Sequence, residues 1–160
     1  MYDKFEKIKY ESYLVTFTEV PDEVSLCFNI SGCPCFCNGC FEPWLAEDIG
    51  TYLTFDELER LYKKNPHVTC ICFLGGDRYY DDMAILIMEF KRMHPNLKFA
   101  MYSGRKEMNP FLSKILDYYK IGPYIAEKGP LNKKTTNQIF YKKEQDQWID
   151  ITYKFQVERI

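Results

Sequence analysis

Histidine is nearly missing from this chain. Two occur in 160 residues, His67 and His94, each beside a proline. Neither has a carboxylate or a second histidine at metal-ligand spacing, and both are expected at the surface. A nucleophile elbow, a Walker loop and a dinucleotide fingerprint are all lacking, which removes the usual signs of esterase, NTPase and dehydrogenase chemistry. A field of one sign is lacking too. Lys and Arg number 21 against 23 Asp and Glu, so nothing argues for nucleic acid. No stretch approaches 18 consecutive apolar residues, so no membrane span is expected. Met1–Tyr10 is charged and has no apolar run, so no signal peptide is expected. Repeats, low-complexity tracts and linkers are absent, and residues 1–160 are read as one domain.

Cysteine, by contrast, is concentrated. Four of the seven cysteines lie within eight residues, in Ser31-Gly32-Cys33-Pro34-Cys35-Phe36-Cys37-Asn38-Gly39-Cys40-Phe41. With no secretory signal, such usage favours metal chemistry in a reducing cytoplasm over disulfides. Within the run, Cys33, Cys37 and Cys40 read C-x3-C-x2-C. Three thiolates from one loop can hold three corners of a cubane [4Fe–4S] cluster and leave the fourth iron open to a substrate or cofactor. The competing reading is a zinc knot, for which Cys35 would be the fourth thiolate. Cys27, Cys70 and Cys72 lie in apolar runs and are read as small core residues.

The rest of the chain alternates strand and helix signals. Residues 13–18 and 24–30 read as strands, with a turn at Pro21-Asp22 between them. Thr54 and Glu57 form a capping-box signature for a helix at 55–64, which Pro66 closes. The near-continuous apolar run 68–74 reads as a strand buried on both faces, and Gly75-Gly76-Asp77 follows it. Then come a helix at 81–94, a strand at 97–102 ending in Ser103-Gly104, a short helix at 110–119 and a strand at 121–126. Residues 138–157 carry two further β-rich runs around a polar turn. The alternation predicts a parallel sheet with right-handed crossovers and the chemistry at the carboxyl ends of its strands.

The ordered blocks resemble a known family. The run Glu19–Cys33, Gly39-Cys40-Phe41, Phe73-Leu74-Gly75-Gly76-Asp77, Tyr102-Ser103-Gly104-Arg105, Gly122-Pro123-Tyr124-Ile125, Gly129-Pro130-Leu131 and Thr135–Tyr141 are similar to anaerobic ribonucleoside-triphosphate reductase activating proteins. These belong to the radical S-adenosylmethionine (SAM) enzymes. Two positions depart from the wider pattern: Gly39 stands where many such enzymes carry an aromatic, and Arg78 where a proline usually follows the acidic residue.

The resemblance implies an α/β fold with a partial (β/α) barrel of about five or six units and a mainly parallel sheet, because a full barrel needs about 250 residues. It implies one [4Fe–4S] cluster on Cys33, Cys37 and Cys40, and SAM chelating the open iron. Contacts to that cofactor fall on Gly39, Cys40, Phe41, Gly75, Gly76, Asp77 and Ser103, with the glycines making room for its methionyl end. Tyr102-Ser103-Gly104 faces the same rim, and Thr135-Thr136-Asn137-Gln138 either caps a turn or approaches the cofactor. The implied activity is reductive SAM cleavage followed by formation of a glycyl radical on an anaerobic ribonucleoside-triphosphate reductase. A one-electron donor such as a flavodoxin is the second implied partner. Other readings remain: an activase of another glycyl radical enzyme, a peptide-modifying radical SAM protein, or a non-catalytic metal-binding module for assembly. The first of these is weakened because no second cysteine set exists.

Overall fold

The computed structural model describes residues 7–35 and 43–156. In chain order the elements are β1 (Lys9–Thr16), β2 (Ser25–Ile30), β3 (Thr51–Tyr52), α1 (Phe55–Lys64), β4 (Cys70–Leu74) and α2 (Tyr80–Met93). There follow β5 (Lys98–Tyr102), α3 (Leu112–Ile115), β6 (Tyr118–Ile121), β7 (Ile139–Glu144) and β8 (Gln147–Asp150). The eight strands form one open sheet in the order β3-β1-β2-β4-β5-β6-β7-β8. β2, β4, β5 and β6 run parallel, joined by crossovers that carry α1, α2 and α3.

The expected mainly parallel sheet of five or six units is corrected here. Four strands are parallel, and four of the seven pairings are antiparallel: β1 with β2 and β3, and β7 with β6 and β8. For β1 with β2 and for β7 with β8 the reason is connection length. A parallel neighbour needs a crossover of about a dozen residues or more. Only residues 17–24 join β1 to β2, and only Gln145-Asp146 join β7 to β8. Those two sit at φ 49° and 61°, as a two-residue hairpin turn requires.

Local signals fared unevenly. The Thr54 side chain accepts from the Glu57 N–H at 3.1 Å, so α1 starts where the capping box predicts. The Glu57 carboxylate does not return the bond; it accepts from the Tyr10 hydroxyl at 2.8 Å instead. The helix expected at 110–119 is one turn, and the strand expected at 121–126 begins at Tyr118. Gly122, at φ 105°, and Pro123 end that strand, because proline cannot donate to the ladder. His94 is not a free surface residue. It packs edge-on against Tyr62 and tilted against Phe90, each with ring centroids 4.7 Å apart, and its Nε2 meets Glu59 Oε2 at 2.9 Å, which ties α2 to α1.

Side-chain alternation along the strands makes two unlike faces. One carries Phe28, Ile71, Phe73, Phe99, Met101 and Tyr119, packed under Leu58 and Leu61 of α1 and Met83, Leu86, Ile87 and Phe90 of α2. The other carries Cys27, Cys70, Cys72 and Ala100 at its centre, with Tyr118 and Phe140 to one side. Large rings on the helix face make the main core. Small side chains at the centre of the opposite face are covered by Val20, Leu131, Ile151 and Phe155, which make a second, smaller core. Among the described residues no helix is long and apolar enough to cross a membrane.

Candidate functional site

At the carboxyl ends of the parallel strands this second face borders a cleft of about 750 Å3. Its floor is a row set by register. Asn29 pairs with Leu74, Leu74 with Tyr102 and Tyr102 with Lys120, and all four line the cleft. They are the last residues on that face before the strands give way to loops. Cleft volumes of about 300–1,000 Å3 are usual for small-molecule and cofactor sites.

The loop after β2 brings Cys33 and Cys35 to this cleft. The Ser31 and Gly32 N–H groups donate to Lys9 O and Glu47 O, each at 3.0 Å, and Gly32 takes φ 74°. Cys33 and Cys35 then line the cleft beside Gly75 and Asp77. Cys37, Gly39, Cys40 and Phe41 lie outside the described residues.

Asp77 is the meeting point of the loops. It is 5% exposed, and its Oδ1 accepts from the Tyr80 hydroxyl at 2.7 Å and the Ser103 hydroxyl at 2.5 Å. Its Oδ2 accepts from the Gly104 N–H at 2.9 Å and the Cys35 thiol at 3.4 Å. Ser103 and Asp77, both expected to meet a cofactor, are thus engaged with each other. Burial pushes the Cys35 thiol up to about 12, and the charges of Asp77 and Cys33 add to it. The Tyr80 hydroxyl is also raised, first by burial and then by its bond to Asp77. Both groups are therefore donors to the carboxylate near neutral pH.

The glycines of the loop after β4 answer a backbone demand. Gly75 and Gly76 adopt φ 109° and 108°, where L side chains are strained. A Cβ on Gly75 would lie 3.2 Å from Ile30 O, and one on Gly76 2.7 Å from Met83 Cε. Both directions lead into protein. Gly75 itself lines the cleft, so its backbone rather than a vacated Cβ position is what it presents there.

Two polar residues of the floor escaped sequence reasoning. Asn29 is 6% exposed, and its Nδ2 donates to Ser12 Oγ at 2.8 Å. Ser12 gives its own proton to Glu11 at 2.6 Å, so it must accept from Asn29, and that sets which way the amide points. Asn29 Oδ1 is then left buried with no hydrogen-bond partner among the described residues. Lys120 is 7% exposed and donates to Ser103 O and Gly122 O, each at 3.0 Å. The available signal was a polar residue near the end of an otherwise apolar strand run: Asn29 in SLCFNI, Lys120 in YYKI.

The Thr135–Gln138 segment divides between its two readings. Thr135, Thr136 and Asn137 bond to Lys128 O, Gly129 O and Pro123 O at 2.6, 2.9 and 3.0 Å, folding the loop beyond β6. Gln138 lines the cleft.

The described residues therefore bring two thiols, a buried ammonium group and a buried carboxylate to one cavity. Thiolates suit a soft metal group, but no set of three or more ligating side chains is gathered among the described residues, from which Cys37 and Cys40 are missing. The family described as a 4Fe-4S single cluster domain matches residues 23–149, a span that holds every cysteine and the whole parallel sheet. No curated protein and no solved structure matches the chain.

Proposed function

The chain belongs to the family of 4Fe-4S single cluster domains, and from that premise we propose that it is a radical SAM activase acting on an anaerobic ribonucleoside-triphosphate reductase. The observation that carries this reading is the convergence of three loops on one cleft: the cysteine loop after β2, Gly75-Gly76-Asp77 after β4 and Ser103-Gly104 after β5. In this reading Cys33, Cys37 and Cys40 are the cluster's thiolate ligands. When bound, the cluster would supply one electron to the SAM sulfonium, whose S–C5′ bond would break to give methionine and a 5′-deoxyadenosyl radical able to take hydrogen from a glycine Cα.

The chain's own residues have three tasks. Gly75 offers backbone at the cleft wall. Lys120 brings positive charge to the floor, while Leu74 and Leu14 exclude water. Proximity then decides the outcome, because a primary radical takes the nearest hydrogen available to it. The four parallel strands are read as the remaining part of a (β/α) barrel. Its missing wall leaves a flank through which a glycine-bearing loop of the reductase reaches the cleft. A flavodoxin-like donor supplies the electron.

The test begins with anaerobic reconstitution, reduction with dithionite and chromatography for 5′-deoxyadenosine. Reduced protein is then mixed with SAM and the reductase, and electron paramagnetic resonance is recorded. The expected result is a glycyl doublet on the reductase that is absent with Cys37→Ala. Iron-loaded, reduced protein that never forms 5′-deoxyadenosine would point to a non-catalytic module. Robust 5′-deoxyadenosine without the doublet would move the assignment to another protein or peptide substrate.

A further inference from the structure

Cys35 lies between two of the thiols assigned above to the cluster, yet the groups it meets are protein. Its thiol donates to Asp77 Oδ2 at 3.4 Å. Its Sγ also occupies the space beside Gly104, where an added Cβ would come within 2.7 Å of it and within 3.0 Å of Cys35 Cβ. The same Asp77 oxygen takes the Gly104 N–H at 2.9 Å, and the other oxygen takes Tyr80 and Ser103. One buried carboxylate thus joins the loops that follow β2, β4 and β5.

We propose that Cys35 and Asp77 form a latch that holds the cysteine loop against the sheet, with Cys35 a positioning residue and not a cluster ligand. The physical need is clear from the loop itself. Gathering several thiolates from one loop around a metal group costs ordering entropy, and that cost falls on metal binding unless the chain is already held. The backbone bonds of Ser31 and Gly32 anchor the start of the loop. The Cys35 thiol anchors it three residues further on, so Cys33 is held from both sides. Gly104 is the third part of the device, because only a residue without a Cβ leaves room for Cys35 to reach Asp77. The purpose of the latch rests on the cluster reading above. Its geometry does not, since it is made by protein atoms alone.

The experiment therefore has a metal-free arm and a loaded arm, with native protein, Cys35→Ser, Cys35→Ala and Gly104→Ala. In the metal-free arm, hydrogen exchange is followed at the amides of residues 31–35 and at Gly104. In the loaded arm, iron per chain is measured after anaerobic reconstitution, and then the rate of iron release to a chelator. Serine keeps a donor for the carboxylate and alanine does not. Cys35→Ser is expected to stay within about twofold of native in both arms. Cys35→Ala and Gly104→Ala are expected to load as much iron as native protein. They should exchange and release it roughly three- to tenfold faster, the range for one weak donor on a charged acceptor. Should Gly104→Ala fail to fold, the two Cys35 variants decide alone. A Cys35→Ala protein that loads less iron than native would make Cys35 a ligand and overturn the proposal. Equal behaviour of Cys35→Ser and Cys35→Ala, whether both native-like or both faster, would overturn it as well. A native chain that takes up no iron would sink the cluster reading and leave the exchange arm to judge the latch.

Discussion

Replacing Gly75 or Gly76 by alanine separates two explanations of the glycine pair: room for a cofactor, or a backbone that only glycine adopts. Both residues sit near φ 109°, and holding a residue with a side chain in such a region costs on the order of 1–3 kcal/mol. Alanine recovers about 0.4–1 kcal/mol by restricting the unfolded chain. The surroundings then rank the two. The Gly76 methyl would meet the end of Met83 at 2.7 Å, and a methionine tip can rotate away. The Gly75 methyl would meet the Ile30 carbonyl at 3.2 Å, part of the fully buried strand β2, which cannot yield without disturbing its pairing. A net loss of about 1 kcal/mol is expected for Gly76→Ala and about 2 kcal/mol for Gly75→Ala. At about 2–4 °C per kcal/mol for a chain of this size, midpoints should fall by roughly 2–4 °C and 4–8 °C. Thermal unfolding of metal-free protein followed by circular dichroism measures this directly. Because both methyls point into protein, SAM affinity per folded molecule should change less than about threefold, well under the 1.4 kcal/mol that a factor of ten represents. Native stability together with a large loss of affinity would refute the reasoning and return the Cβ space to the cofactor.

Replacing Cys33, Cys37 or Cys40 by alanine is expected to remove stable cluster loading one position at a time; near-native iron and visible absorption in any of the three would disprove that ligand. Lys120→Met removes the ammonium that satisfies Ser103 O and Gly122 O at 3.0 Å and should cost about 2–4 kcal/mol in urea unfolding, as two buried acceptors lose a charged donor. An unchanged urea midpoint would show that water replaces it at no cost. The Arg60 guanidinium holds the Glu57 carboxyl below its ordinary value of 4.5, with the Tyr10 hydroxyl adding to it against burial. A depressed folded value contributes stability that is fully present above pH 4.5 and is lost as pH falls through the lower folded value. Glu57→Gln should therefore lower stability at pH 7 and flatten the acid limb of the stability profile. An acid limb as steep as that of native protein would count against this pair.

Local chemistry was legible where a few neighbouring residues decide the outcome. Thr54 and the Glu57 N–H are three residues apart, and α1 begins and ends where the sequence places it. The C-x3-C-x2-C spacing and the glycines after β4 are likewise contained in short segments. The hairpin in the tail follows from a polar turn between two β-rich runs, with Gln145 and Asp146 at positive φ. The strand at Tyr118 was misplaced because Tyr118 and Tyr119 read equally well as the end of an amphipathic helix. Their burial against Phe140 and Trp148, both distant in sequence, settled the matter.

The amino-acid sequence by itself determined that this chain carries a thiolate loop at the end of an apolar strand in an alternating α/β pattern. Tertiary structure alone decided which residues share the cleft. Asn29, Leu74, Tyr102 and Lys120 form one row only because of the register across four parallel strands. That register is selected by burying a ring-rich face under α1 and α2 and the Cys and Ala face against Val20, Leu131, Phe140 and Ile151. A slip of one residue in any strand would turn its rings into the cleft and its small residues toward the helices. The same long-range pairing carries Cys35, Asp77 and Gly104 to one point. No local preference brings such distant residues together; only the simultaneous burial of both sheet faces does.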